Sequence, residues 1–246
     1  MHNHTLFAFL FPILLATASA AQESRMSAPT SRPESRPSAP ERVGGDLKVN
    51  VESYQGAEGL CFRSGECRVT TPLPLGYPQP TPPGAIELKY YPTVRRAEVS
   101  GTKSPDSGMT SGFWPLFMHI QRQGIEMTSP VEMDLEGLKV GDKPAVDKWT
   151  MSFLYRTPTM GKVGSDGQVK VVDRPSVMVL ALGTQGAYGI ARLGKSHALL
   201  AQWLKDHPEY EVAGDPRTFS YNGPDVPNAQ KWGEIQIPVR RKVVNK

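Results

Sequence analysis

Between Gly112 and Met133 the apolar positions run first at helical and then at strand spacing. Phe113, Leu116, Phe117 and Ile120 share one face at roughly 100° per residue, which predicts a helix from Phe113 to about Gln123. Ser111 is placed to cap that helix, Pro115 to sit in its first turn and Gly124 to end it. The Thr128-Ser-Pro-Val131 run that follows favours extended backbone, because the residue before a proline avoids the helical region. Trp114 and Met118 lie off the core face, on a second stripe that begins at Ser111 and continues to Arg122. A helix docked on one side has no use for such a stripe. Either another segment of the chain covers it, or it floors a groove for a flat apolar ligand.

Alternating patterns flank this stretch. Ile86 to Val99 reads as a strand that Pro92 interrupts with a bulge or edge. Met127 to Leu135 and Lys148 to Arg156 follow as strands, with Glu126, Glu132 and Asp134 as outward residues. Gln168 to Asp173 and Ser176 to Gly183 form another pair. A second helix is predicted from about Gly189 to Asp206, and the strands Arg217 to Tyr221 and Trp232 to Val239 close the chain. The order strand, helix, strand, strand therefore occurs twice, at a period of roughly 75 to 85 residues. Two such units joined in one antiparallel sheet around two helices make an α+β fold.

The N-terminus is of another kind. Leu6 to Ala16 is an apolar run broken only by Pro12, shorter than the ~20 residues a spanning helix needs. Ala18-Ser-Ala20 fits a cleavage site, so residues 1–20 read as a secretory signal peptide. That implies export to the periplasm or the medium, with no transmembrane segment left after cleavage. Residues 21–45, rich in Ser, Arg and Pro, lack the apolar surface to offset ordering and read as a disordered linker. Residues 46–84 form an N-terminal extension and 85–240 the main domain. The two cysteines, Cys61 and Cys67, read in an exported chain as one disulfide closing a small loop, the alternative being two free thiols. The formal net charge of +4 is mild and scattered. There is no zinc pattern, helix-turn-helix or RNA-binding signature, so nucleic acid is not an expected partner.

His119 flanks the core face of the first helix, where it can serve as a haem-iron ligand, a propionate partner or a surface histidine. His197 falls in the apolar stripe of the second helix with Leu193, Leu200 and Leu204 and reads as a core histidine. Ser196 and His197 are adjacent on a helix and diverge, so they are not a nucleophile–base pair. No Gly-x-Ser-x-Gly element or phosphate loop is present. The chain reads as a binder and not an enzyme. A hydrolase would need a carboxylate and a tyrosine converging in a groove, with Tyr90, Tyr155 and Tyr188 as the tyrosines on hand.

Six short stretches occur in an order and spacing that carry a family resemblance. They are Glu87-Leu-Lys-Tyr-Tyr-Pro92, Ile125-Glu-Met-Thr-Ser-Pro-Val131, Met151-Ser-Phe153, Gln185-Gly-Ala-Tyr-Gly189, Tyr221-Asn-Gly-Pro224 and Gly233-Glu-Ile-Gln-Ile-Pro238. From Ile86 to about Val239 the chain resembles the SOUL haem-binding family. The resemblance implies a distorted antiparallel β-barrel of two β-α-β-β repeats. It also implies that haem, or a related tetrapyrrole, lies against outward apolar residues of the first helix. By position these are Trp114 and Met118, with Arg122 continuing their line. His119 falls where some members carry a lysine, Ser111 where they carry an arginine, and Tyr90 where some carry a histidine proposed to bind iron. The expected haem-binding set is thus Trp114, Met118, His119, Arg122 and Tyr90, with His119 as candidate axial ligand. The expected role is an exported tetrapyrrole carrier or buffer. The alternatives are a binder of another flat apolar molecule, or a hydrolase or tetrapyrrole-modifying enzyme on the same barrel.

Overall fold

The computed structural model describes residues 39–102, 104–139, 145–190 and 193–242. The expected signal peptide and residues 21–38 of the expected linker lie outside them. Four short strands come first: β1 (Glu41–Gly45), β2 (Glu52–Gln55), β3 (Leu60–Ser64) and β4 (Cys67–Val69). Then follow β5 (Ala85–Tyr91), β6 (Val94–Gly101), α1 (Pro105–Gln123), β7 (Val131–Glu136) and β8 (Lys148–Leu154). The second half holds β9 (Gly164–Asp166), β10 (Val169–Arg174), β11 (Val177–Gln185), α2 (Leu193–Asp206), β12 (Tyr210–Val212), β13 (Arg217–Ser220) and β14 (Trp232–Arg241).

Strands β2, β3 and β4 make a small sheet of their own, and the rest pair in the order β1-β5-β11-β14-β13-β7-β8-β6-β10-β9, with β12 on β14. All of these strand pairs are antiparallel. The path is open, with β1 and β9 at its ends. Its central eight strands show a twofold repeat, but each unit holds four strands and not the expected three, because Ile86 to Val99 is two strands, β5 and β6, and its counterpart is β10 and β11. Exchanging β5 with β10, β6 with β11, β7 with β13 and β8 with β14 reverses the order and leaves it unchanged. Each half therefore lends its first strand to the other half: β5 lies on β11, and β10 lies on β6.

Side-chain alternation along the strands sends both helices to one face of the sheet. Ala97, Val99, Met133, Leu135, Met151 and Phe153 form a core with Leu116 and Ile120 of α1. Ile86, Leu88, Leu180, Ile235 and Ile237 form another with Leu200 and Trp203 of α2. On the opposite face Tyr91, Val179, Ala181, Phe219 and Trp232 pack against Phe62, Val69, Leu73 and Tyr77 of the N-terminal extension. That face also holds buried charge. Glu132, read from the sequence as an outward residue, is buried, with Arg96 at 2.7 Å and Arg217 at 3.1 Å. Sequence alternation placed it opposite the helices correctly, but the extension turns that side into interior.

Three further expectations change. Helix α1 begins at Pro105, with Ser104 as its N-cap. Ser111 and Pro115 are thus interior residues, not cap and first turn. The early turns carry Gly108 and Gly112, which weaken the helical signal. They are there for space: a Cβ on Gly108 would fall 2.6 Å from the Trp149 indole, and one on Gly112 would fall 3.1 Å from it. Gly124 does end the helix in the left-handed conformation, at φ 61°. The second change is at the linker's end, where Glu41–Gly45 is β1, paired to β5 and tied down by Arg42, 3.1 Å from Glu87.

The third change concerns the expected disulfide. Cys61 and Cys67 are buried free thiols. In the β3–β4 hairpin Cys67 lies opposite Ser64, and Phe62 opposite Val69. Alternation then puts Cys67 on the face of Phe62 and Cys61 on the other face. The Cys61 thiol faces the Thr70 carbonyl at 3.6 Å, and that of Cys67 the Lys231 carbonyl at 3.5 Å. Cysteines whose Cβ vectors point apart cannot be bridged without moving the backbone.

Candidate functional site

Helix α1 presents its second stripe to solvent. Trp114 is 58% and Met118 50% exposed. Leu116 and Ile120, facing the sheet, are sealed. The Trp114 ring stands edge-on to both Phe113 and Phe117, with centroids 5.9 Å away in each case. Phe113 and Phe117 stack on one another and Phe113 continues into the core against Phe153. The stripe is therefore a solvent-facing shelf braced from below. Neither Trp114 nor Met118 lines the two cavities that adjoin the helices.

Arg122 continues the line of the stripe and is half exposed. Its Nη2 donates to Asp166 Oδ2 at 2.8 Å. That carboxylate oxygen also accepts from His119 Nδ1 at 2.7 Å. The other ring nitrogen, Nε2, lies 2.9 Å from the Tyr155 hydroxyl. A carboxylate can only accept, so Nδ1 carries the proton and, in the neutral ring, Nε2 accepts from the Tyr155 O–H. Arg122 and His119 together hold the Asp166 carboxyl below the usual carboxylate range. Burial pushes the Tyr155 phenol up to about 12, against the opposing pull of the Arg95 charge.

This arrangement corrects the expectation for His119. It is buried, and both ring nitrogens are engaged within the protein, so it offers no lone pair to an iron above the stripe. Tyr90 is also elsewhere. It sits on β5 opposite Met178, on the same face as Ile86 and Leu88. That is the part of the sheet whose core is shared with α2, whereas α1 packs on β6, β8 and β10. Trp114, Met118 and Arg122 are thus brought together, while His119 turns inward and Tyr90 lies in the other half. Ser111 donates its hydroxyl to the Ser107 carbonyl one turn back.

Two cavities adjoin the helices. One, of about 460 Å³, lies between the N-terminal turns of α1 and α2 over β7 and β13, with Met109, Met133, Leu135, Leu193 and Ile235 as its apolar wall. The other, of about 560 Å³, lies beneath the Gly161–Asp166 segment and is lined by His119, Gln123, Tyr155 and Lys162 among others. The sequence named Tyr155 as a tyrosine available to a carboxylate. It did not reveal Asp166, which stands in a Ser-Asp-Gly turn that reads only as a loop.

On the extension's side of the sheet, Lys89 and Glu234 pair at 2.9 Å. Glu234 also accepts from the Thr81 amide at 2.7 Å and the Tyr221 hydroxyl at 2.7 Å. Burial alone would raise its carboxyl. The Lys89 charge and these donors outweigh that and hold it below the usual range. The pair is enclosed and has no route to solvent through its own side chains.

The family described as SOUL heme-binding protein matches residues 78–238. Among solved structures the chain is similar to the C-terminal domain of EcmrR, with a TM-score of 0.51 and 17% identity, covering 64% of this chain and 98% of that one. EcmrR in a DNA complex matches with a TM-score of 0.52 and 18% identity, covering 64% of this chain and 57% of that one. An uncharacterized conserved protein from Listeria innocua matches with a TM-score of 0.50 and 12% identity, over 63% of this chain and 92% of that one. At these identities the likeness is one of fold. No curated protein matches. The chain belongs to the SOUL heme-binding protein family.

Proposed function

We propose that this SOUL-family chain binds haem or a related tetrapyrrole on the solvent face of α1. Trp114 and Met118 lie against the macrocycle, and Arg122 supplies the positive charge for a propionate. The observation that carries the reading is the exposed pair itself. Two large apolar side chains stand side by side at 58% and 50% exposure on a helix whose other face is fully docked. An exposed aromatic ring braced from below is a shelf that suits a flat ligand. The stripe holds contact area and one cation, with no nucleophile or base among its residues, so this shelf binds its ligand and does not turn it over. His119 is not the axial ligand in this reading; it steadies Asp166, which in turn steadies Arg122. The Leu6–Ala20 segment supports export, and a tetrapyrrole held on an open shelf outside the cytosol suits carriage or buffering.

Haemin titration followed by the Soret band tests this. The parent protein should shift and saturate the band. Trp114→Ala should weaken binding roughly tenfold to a hundredfold, the ~1–3 kcal/mol of one lost aromatic contact, while leaving the fold intact. A folded Trp114→Ala protein that binds haemin as tightly as the parent would overturn the assignment.

A further inference from the structure

The Asp166–His119–Tyr155 chain draws its members from three separate elements. His119 comes from the middle of α1, Tyr155 from the residue after β8, and Asp166 from the end of β9. A neutral core histidine has one donor and one acceptor nitrogen to satisfy, and backbone groups can serve both. This one instead spans a carboxylate at 2.7 Å and a phenol at 2.9 Å. The carboxylate is fixed in turn by Arg122 at 2.8 Å. All three groups line the recess of about 560 Å³, with Ile125 and Val171 as apolar wall and Lys162 as a cation. That volume is within the range of small-molecule sites. The direction of the hydrogen bonds also matters. With the proton on Nδ1, the Tyr155 O–H points at His119, and the phenol oxygen keeps its own lone pairs.

We propose that this recess is an acyl-transfer site with Tyr155 as nucleophile and His119 as its base. Asp166 is the positioning residue that fixes the His119 tautomer. This proposal does not rest on the tetrapyrrole reading, although the shelf and the recess share the Asp166 carboxylate. In the first step the Tyr155 oxygen attacks the carbonyl carbon, and its proton passes to His119 Nε2. Asp166 stabilises the resulting imidazolium, and Lys162, on the lining of the recess, is the cation on hand for the developing oxyanion. The tetrahedral species collapses, the bond to the leaving group breaks, and His119 returns the proton to that group. In the second step His119 takes a proton from water as the water attacks the acyl-tyrosine. The phenol leaves and recovers its proton from His119. The sum is ester plus water giving acid plus alcohol or thiol, with no other reactant.

The chemistry of the nucleophile sets the substrate class. A phenol, even pushed up to about 12 by burial as Tyr155 is, is a better leaving group than an alkoxide. Acyl transfer to Tyr155 from a plain alkyl ester is therefore uphill. Aryl esters and thioesters, whose leaving groups match or exceed a phenol, are the substrates that fit.

The test uses the full-length protein and p-nitrophenyl acetate, read by nitrophenol release and by peptide mass spectrometry after acid quench. Release faster than buffer alone, with one acetyl group on the peptide containing Tyr155, supports the proposal. Tyr155→Phe keeps the ring and its packing but removes the oxygen; it should lose both signals. His119→Gln should lower kcat by roughly 10²–10⁴ with little change in KM. Asp166→Asn should displace the alkaline-rising limb of the pH–rate profile, and Asp166→Glu should restore part of it. A parent protein no faster than buffer overturns the site. So does a folded Tyr155→Phe protein that hydrolyses the ester at the parent rate.

Discussion

Lys89 Nζ and Glu234 Oε1 lie 2.9 Å apart with both side chains wholly enclosed. Two charges withdrawn from water stay favourable only if each remains fully partnered. Lys89→Met would leave Glu234 buried without its cation and should cost about 3–5 kcal/mol. Replacing both residues by apolar ones of similar volume should cost less than the single change. Urea denaturation of the two variants checks this.

The same pair sets the acid limit. Glu234 has its carboxyl held below the ordinary range in the folded state. A carboxylate depressed by folding contributes its full stabilisation above its unfolded value, about 4.3. That contribution is lost as pH falls through the lower, folded value. Stability should therefore drop below about pH 4. In Glu234→Gln that part of the acid-induced loss should vanish, at the expense of lower stability at neutral pH. Thermal midpoints measured from pH 3 to 7 decide the matter.

Gly108 and Trp149 supply a prediction against helix propensity. Gly to Ala in a helix interior is ordinarily worth about 1 kcal/mol of stabilisation. Here the new methyl would fall 2.6 Å from a rigid buried indole. Overpacking of this kind costs roughly 1–3 kcal/mol, so Gly108→Ala should destabilise. Chemical denaturation showing a more stable variant would contradict the packing described for α1.

The cysteines can be counted directly. The native protein should yield two alkylatable thiols only after unfolding. In the folded state both are buried, and burial together with Glu66 pushes the Cys67 thiol up to about 11. Mass spectrometry without reductant should show no two-hydrogen deficit. A deficit would mean that the hairpin register placing Cys61 and Cys67 on opposite faces is wrong.

What the sequence revealed and what it hid divide along physical lines. Phe113, Leu116, Phe117 and Ile120 announced a helix because apolar spacing survives in one dimension. Its true start at Pro105 was hidden, since Gly108 and Gly112 serve Trp149, a residue far along the chain. Trp114 and Met118 were legible as a surplus stripe for the same reason that the core face was. His119 was not: its position on the helix gave its angle, but its role depends on Asp166 and Tyr155, which arrive from other strands. Glu132 shows a related gap. Its parity in the strand was evident, yet only the packing of Phe62, Leu73 and Tyr77 makes that face an interior. Cys61 and Cys67 were close in sequence, and proximity said nothing of strand parity.

The exchange of first strands between the halves also constrains how the chain is made. During synthesis β5 emerges long before β11, its partner on the side away from β1, and β6 emerges long before β10. The first half thus leaves the ribosome with an unpaired edge and stays open until most of the second half has been translated. Such non-local pairing slows folding and prolongs exposure of strand edges. A ribosome stalled between Arg156 and Val169 would hold a product unable to finish its own sheet, ready to pair with a second copy of itself.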